Sequence, residues 1–232
     1  MTRGYVLGWT VILGAVRRDV PLTRLNARSL LKVVADTGLR SWAPVAEQFE
    51  RWSRSMSGDG PFSAGELRAA RAALKAVGHD KIVTPVIGVL AAEAEVRNGR
   101  ADEALALVEE LITEIRANGL RWQEAELLRV GGEARLLGPS ADPDRAGSDL
   151  EAAVAVARKQ GARAFELRAA LSLARLYQST DGPLEAHNIL APALKSFSPT
   201  PEFPEIEEAQ TFLTALPNRR SEERRSLSKR PL

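Results

Sequence analysis

A glycine returns at positions 38, 78, 119 and 161, at intervals of 40, 41 and 42 residues. The surroundings return with it. Thr37-Gly38-Leu39-Arg40 matches Asn118-Gly119-Leu120-Arg121, and each is followed by a tryptophan, Trp42 or Trp122. Gln160-Gly161-Ala162-Arg163 repeats the theme with Phe165, and Val77-Gly78-His79-Asp80 lies between. A near-constant period in this range marks a helical array, in which one supersecondary unit is copied along the chain. Glycine suits such a junction because helices commonly end on a left-handed residue, which only glycine adopts without steric penalty. Lys75, Arg116 and Lys159 shortly precede three of these glycines, where a cation favours the negative end of the helix dipole.

Each period divides into two helices. In 101–117, Ala104, Leu105, Val108, Leu111, Ile112 and Ile115 form one stripe at helical spacing. In 149–159, Leu150, Ala153, Val154 and Ala157 do the same, after the breaker Gly138-Pro139-Ser140-Ala141-Asp142-Pro143. Asp181-Gly182-Pro183 separates the next two segments. The pattern predicts helices over 4–17, 22–36, 43–56, 64–77, 82–97, 101–117, 122–137, 144–159, 163–178, 184–197 and 202–215. No segment alternates as a strand does. Ile82 to Leu90 is rich in branched residues, but Pro85, Gly88 and the alanines that follow favour a helix. Aromatics are only 5% of the chain, so the core is expected to come from Ala and Leu, which allow close stacking. One pair cannot bury its apolar faces alone, so several must stack. We expect helical repeats over 1–57, a repeat array over 58–216 and a disordered basic tail over 217–232.

The chain has no cysteine, which excludes disulfides and thiolate-bound metals and accords with the cytoplasm. Its net charge is +2. The last 16 residues carry six Lys/Arg against two Glu, a surplus of four that leaves −2 for the rest. A nucleic-acid footprint over the body is therefore not expected. The tail is either an inert solvated terminus or a weak electrostatic contact for nucleic acid or membrane. Tyr5 to Val16 is uncharged but spans 12 residues, too few to cross a bilayer. It lacks a cleavage signature and reads as a buried helix rather than a targeting segment.

Leu173-Ala174-x2-Tyr177, Asp181-Gly182, Glu185-Ala186, Leu190 and Ala193-Leu194 together resemble the tetratricopeptide pattern. Ala91, Ala92, Glu103-Ala104 and Leu111 match it more loosely, with Gly99 one position early and Glu95 where Tyr is typical. The resemblance implies an all-α, tetratricopeptide-like α-solenoid of antiparallel helix pairs, with a period of about 41 residues rather than the usual ~34. Arg121-Trp122-x3-Glu126-Leu127-Leu128-Arg129, Arg158-Lys159-Gln160-Gly161-Ala162 and Glu166-Leu167-Arg168-Ala169-Ala170 are similar to the C-terminal repeats of large bacterial signalling proteins. Leu190-Ala191-Pro192 and Glu207-x-Ala209 extend that similarity. Those proteins carry a winged-helix or nucleotide-cyclase domain and an ATPase module before the repeats. The resemblance implies a non-catalytic module that binds a protein, a peptide or other domains of a parent protein.

Motifs for chemistry are absent. There is no G-x-x-x-x-G-K-[ST] phosphate loop and no G-x-S-x-G elbow. The two histidines, His79 and His187, fall in different repeats without zinc-ligand spacing, so no metal or cofactor is expected. His79 is expected to be solvated in a turn and His187 to lie on a helix surface. Glu109-Glu110 and Glu207-Glu208 point in different directions on a helix and read as solvated. Gly131-Gly132 inside a helix costs about 1 kcal/mol per glycine; it marks either a close helix approach or a ligand contact. Pro192 should kink its helix.

In tetratricopeptide arrays the first helix of each pair lines the groove. Register then places Glu126, Arg129 and Glu133 on one such helix and Arg168 and Arg175, on a shared face, on the next. Their guanidinium groups suit a partner's carboxylates. Alternatively Arg168 and Arg175 pair with Glu126 and Glu133 across neighbouring helices. A small-molecule-sensing helical-repeat domain, with a pocket in the groove or near Gly131-Gly132, is the second functional reading.

Overall fold

The computed structural model describes residues 2–195, 197 and 203–216; the basic tail expected over 217–232 lies outside the described residues, as do the predicted helix positions 196 and 202. Among the described residues there are eleven α-helices and no strand. They are α1 (Thr2–Val16), α2 (Val20–Thr37), α3 (Ala43–Ser55), α4 (Ala64–Ala76), α5 (Asp80–Arg97), α6 (Ala101–Asn118), α7 (Glu124–Ala134), α8 (Pro143–Gln160), α9 (Arg163–Ser179), α10 (Pro183–Lys195) and α11 (Pro204–Ala215). Short 3-10 turns, Arg40–Trp42 and Arg121–Gln123, precede α3 and α7. α7 therefore starts at Glu124 rather than at 122 and stops at Ala134 rather than at 137. α10 runs through Pro192.

The ends follow local chemistry. The Asp19 side chain accepts from Leu22 N at 2.9 Å, with Pro21 in the first turn of α2. Asp142 accepts from Arg145 N at 3.0 Å ahead of α8. Gly38, Gly119 and Gly161 close α2, α6 and α8 at φ 70°, 76° and 67°, and Gly78 has φ 76° just beyond α4. All four recurrent glycines thus occupy the left-handed conformation that an L side chain resists.

Consecutive helices pack on one another, and the odd-numbered helices also touch in succession from α1–α3 through α9–α11. The odd helices therefore form one layer. This division shows in burial. α5 buries residues all round, from Val83 to Glu95, and α9 from Phe165 to Leu176, whereas α6 and α8 each bury a single stripe. One apolar cluster runs from Val11 to Val130 and a second from Ala146 to Leu216. Small residues permit the close spacing. A side chain at Gly8 of α1 would overlap the Trp42 ring, and a Cβ at Gly132 of α7 would come within 2.7 Å of Leu150 Cγ and 3.1 Å of the Ala146 carbonyl on α8.

His79 departs from the expectation of a solvated turn residue. Its ring lies 4.4 Å from that of Trp42 and is half-buried, because the α4–α5 turn folds over the indole; burial lowers its pKa. His187 is exposed, as are Glu109 and Glu110. Among the described residues no helix is long and apolar enough to cross a membrane.

Candidate functional site

The odd-numbered layer carries a connected cluster of charge beneath its surface. Glu126 on α7, only 1% exposed, accepts from three guanidinium groups: Arg129 Nε at 3.1 Å, Arg18 Nη2 at 3.1 Å and Arg168 Nη1 at 3.2 Å. Arg129 also donates to Glu133 Oε1 at 2.9 Å and to Glu93 of α5. Arg18 reaches Glu93 Oε1 at 2.7 Å. Arg168 donates through Nε to Glu205 Oε1 of α11 at 2.5 Å and through Nη2 to the Val16 carbonyl at 2.9 Å. Ser172 donates to Glu133 Oε1 at 2.5 Å. The α1–α2 turn, α5, α7, α9 and α11 are thereby joined.

Two features of the sequence bring the α1–α2 turn here. α1 ends at Val16, whose carbonyl has no helical partner and accepts from Arg168 Nη2, while Arg18 Nη1 adds a donor at 3.0 Å to the Ala15 carbonyl that Arg18 N also reaches. Arg18 itself has φ 60°, a left-handed residue that turns the chain into α2. Nearby, Arg17 lies over the Phe203 ring at 5.1 Å.

Opposed charges fix the protonation states. Burial pushes the Glu93 carboxyl up, but Arg18 and Arg129 outweigh it and hold the group at about 2. Burial works against ionised Glu126 too, and Arg129, Arg168 and Arg18 hold it below the usual carboxylate range. Burial would lower the Arg129 pKa; Glu126, Glu133 and Glu93 reverse this and keep it well above the ordinary value. Glu93, Glu126 and Arg129 therefore stay charged at neutral pH, as a fixed array of opposed charges.

A cavity of about 410 Å³ opens beside this array. Apolar Trp52 of α3, Met56 just beyond its end, Val96 of α5 and Leu171 of α9 line it, together with charged side chains from Arg97 on α5 to Arg175 on α9 and Glu208 on α11.

The five residues expected in the groove all gather at this place and divide by depth. Glu126, Arg129 and Arg168 are 1%, 5% and 5% exposed and grip one another. Glu133 and Arg175 reach further out, their side chains 25% and 47% exposed. The cross-helix pair Arg168–Glu126 forms, but Arg175 pairs with Glu208 of α11 rather than with Glu133, which Arg129 and Ser172 already hold. Beside Gly131-Gly132 the space is occupied by Val108, Leu150 and Ala146 of the flanking helices.

Arg18, Glu93, Ser172 and Glu205 were not anticipated. For Glu93 a signal existed, since Glu93 and Glu95 are the only charges within Ile82 to Val96, and a carboxylate in a wholly buried helix requires a partner. Glu95 meets that requirement by accepting from Ala64 N at 2.8 Å and from Arg100. No group of three His, Cys, Asp or Glu able to hold a metal ion occurs among the described residues. No protein-family model matches the chain, and neither a curated protein nor a solved structure matches it.

Proposed function

We propose that the chain is a non-catalytic, cytoplasmic interaction and regulatory module, a tetratricopeptide-like solenoid that binds a protein or peptide on the side of its odd-numbered helices. The single observation that carries this reading is the open cavity between α3, α5, α9 and α11, with apolar and charged side chains side by side. Such mixed surfaces suit recognition, with apolar contact for affinity and charge for orientation. The glycine period and the alternating contacts of the odd helices support the solenoid. Glu133 and Arg175 would meet the partner, while Glu126, Arg129 and Arg168 would hold the helices beneath. The resemblance to the C-terminal repeats of bacterial signalling proteins makes a winged-helix, cyclase or ATPase domain a natural partner.

The test uses a photo-crosslinking residue at Met56, which lines the cavity and is 40% exposed, and the same residue at exposed Ala155 on α8. A partner captured at Met56, missed at Ala155 and weakened by Arg175→Glu supports the proposal. Equal capture at both positions, or none at Met56, overturns it. Arg168→Glu is unsuitable, because it would place a carboxylate against Glu126 and Glu205.

A second reading, small-molecule sensing, draws on cavity size. About 410 Å³ falls within the ~300–1,000 Å³ of small-ligand sites.

A further inference from the structure

We infer that the α3–α5 end of the cavity is a subsite for the carboxylate of a small organic acid with an apolar body; this rests on the small-molecule reading above. The argument starts from unused hydrogen-bonding capacity. Every carboxylate lining the cavity is already engaged: Glu93 by Arg18 and Arg129, Glu133 by Arg129 and Ser172, Glu205 by Arg168 and Glu208 by Arg175. The unengaged polar groups of the lining are donors. Arg97 has no ion pair or side-chain hydrogen bond among the described residues. Trp52 is 1% exposed, and its indole Nε1 is buried without a partner.

The sequence explains why Arg97 has no partner among the described residues. It stands four residues after Glu93 on α5, the spacing of a helical ion pair. Glu93 is instead taken by Arg18 and Arg129 from other elements, leaving Arg97 at the rim with its charge uncompensated. A guanidinium fork binds a carboxylate through two parallel hydrogen bonds, and Trp52, whose indole N–H has no partner, belongs to the same lining. Met56 and Val96 supply the apolar contact beside them. At the ~30 Å³ that a water-sized atom occupies, 410 Å³ admits about a dozen non-hydrogen atoms. Medium-chain alkanoic and aryl-alkanoic acids have this size and character.

Calorimetric titration of the full chain with octanoate and 4-phenylbutyrate, each beside its primary amide, tests the inference. At least one acid should bind at one site, and its amide at least tenfold more weakly, as expected for loss of a charge-assisted hydrogen bond. Exposed Arg97→Gln should weaken the acid about tenfold and leave the amide unchanged. Trp52→Phe, with folding checked by circular dichroism, should weaken it several-fold. If acid and amide bind alike, or Arg97→Gln has no effect, the carboxylate subsite is overturned while small-molecule binding stands. If no compound binds, the subsite and the small-molecule reading both fall, and capture at Met56 then decides the protein-partner reading separately.

Discussion

Arg129 offers the sharpest test of how the odd-numbered layer is held. Its guanidinium engages Glu93, Glu126 and Glu133 while the residue is 5% exposed. Arg129→Met keeps the apolar stem and removes the charge. Glu126 would retain Arg18 and Arg168, Glu93 only Arg18, and Glu133 only the Ser172 hydroxyl. Removing one partner from a buried ion cluster costs about 3–5 kcal/mol, because the remaining charges stay buried. For a chain of this size each kcal/mol moves Tm by about 2–4 °C, so a fall of about 6–20 °C is expected at neutral pH. Arg175→Met is the control. Its pair with Glu208 is half exposed on both sides and should contribute no more than about 1 kcal/mol. The gap between Arg129→Met and the native chain should narrow at pH 5, since protonating a carboxylate left without its cation relieves the repulsion. Scanning calorimetry at the two pH values reads all of this. A fall below about 3 °C for Arg129→Met, or an equal fall for Arg175→Met, would refute the view that the buried array, rather than surface pairing, ties the layer together.

Two further outcomes follow from named contacts. The Glu93 carboxyl is lowered from 4.5 to about 2, so its stabilisation is complete above about pH 5 and is lost as pH falls towards 2; this amounts to about 3 kcal/mol. Urea midpoints that stay flat from pH 5 to pH 3 would contradict it. Gly132→Ala should destabilise by about 1–3 kcal/mol, because the new methyl meets Leu150 Cγ at 2.7 Å and the Ala146 carbonyl at 3.1 Å. Gly131→Ala meets only Val108 Cγ1 at 3.3 Å among close neighbours and gains up to about 1 kcal/mol in helix propensity, so chemical denaturation should separate the two variants; similar losses would rule the packing account out.

The helices were legible because two independent signals agreed. In 101–117 the apolar stripe and Gly119 both pointed to one helix, and α6 spans Ala101–Asn118. In 163–178 the breaker Asp181-Gly182-Pro183 marked the end, and α9 spans Arg163–Ser179. Where one signal stood alone, the reading slipped. Leu136 and Leu137 continue an apolar pattern past the end of α7, yet Asp142 N bonds to Arg135 O at 2.8 Å and closes a turn there. Trp122 lies in a 3-10 turn that no residue pattern separates from a first α-helical turn. The charged array was half legible. Repeat register grouped Glu126 with Arg129 and Glu133, and a spacing of seven put Arg168 and Arg175 on a shared face. Helical periodicity carries no information about distant segments, so the arrival of Arg18 from 108 positions before Glu126, and of Glu205 beside Arg168, was out of its reach.

The buried array also bears on why charge is present in this layer at all. Apolar residues of similar volume commonly stabilise an interior as well as a buried ion cluster does. Bulk stability alone therefore does not account for four carboxylates and three guanidinium groups among Ala and Leu. Register does. Two Ala- and Leu-rich helices can slide by a turn with little loss of apolar contact, whereas Arg129 meets Glu93 in one alignment of α5 with α7, and Arg168 meets Glu126, Glu205 and the Val16 carbonyl together in one alignment of α9 with α7, α11 and the end of α1. The same requirement generates the candidate subsite. By drawing Glu93 away from its helical neighbour, the contacts that set the register leave Arg97 without a carboxylate among the described residues, next to the apolar end of the cavity. Under this account the fixed alignment of the helices and the affinity for an acid share one electrostatic origin, and a change that restores Glu93 to Arg97 would weaken both.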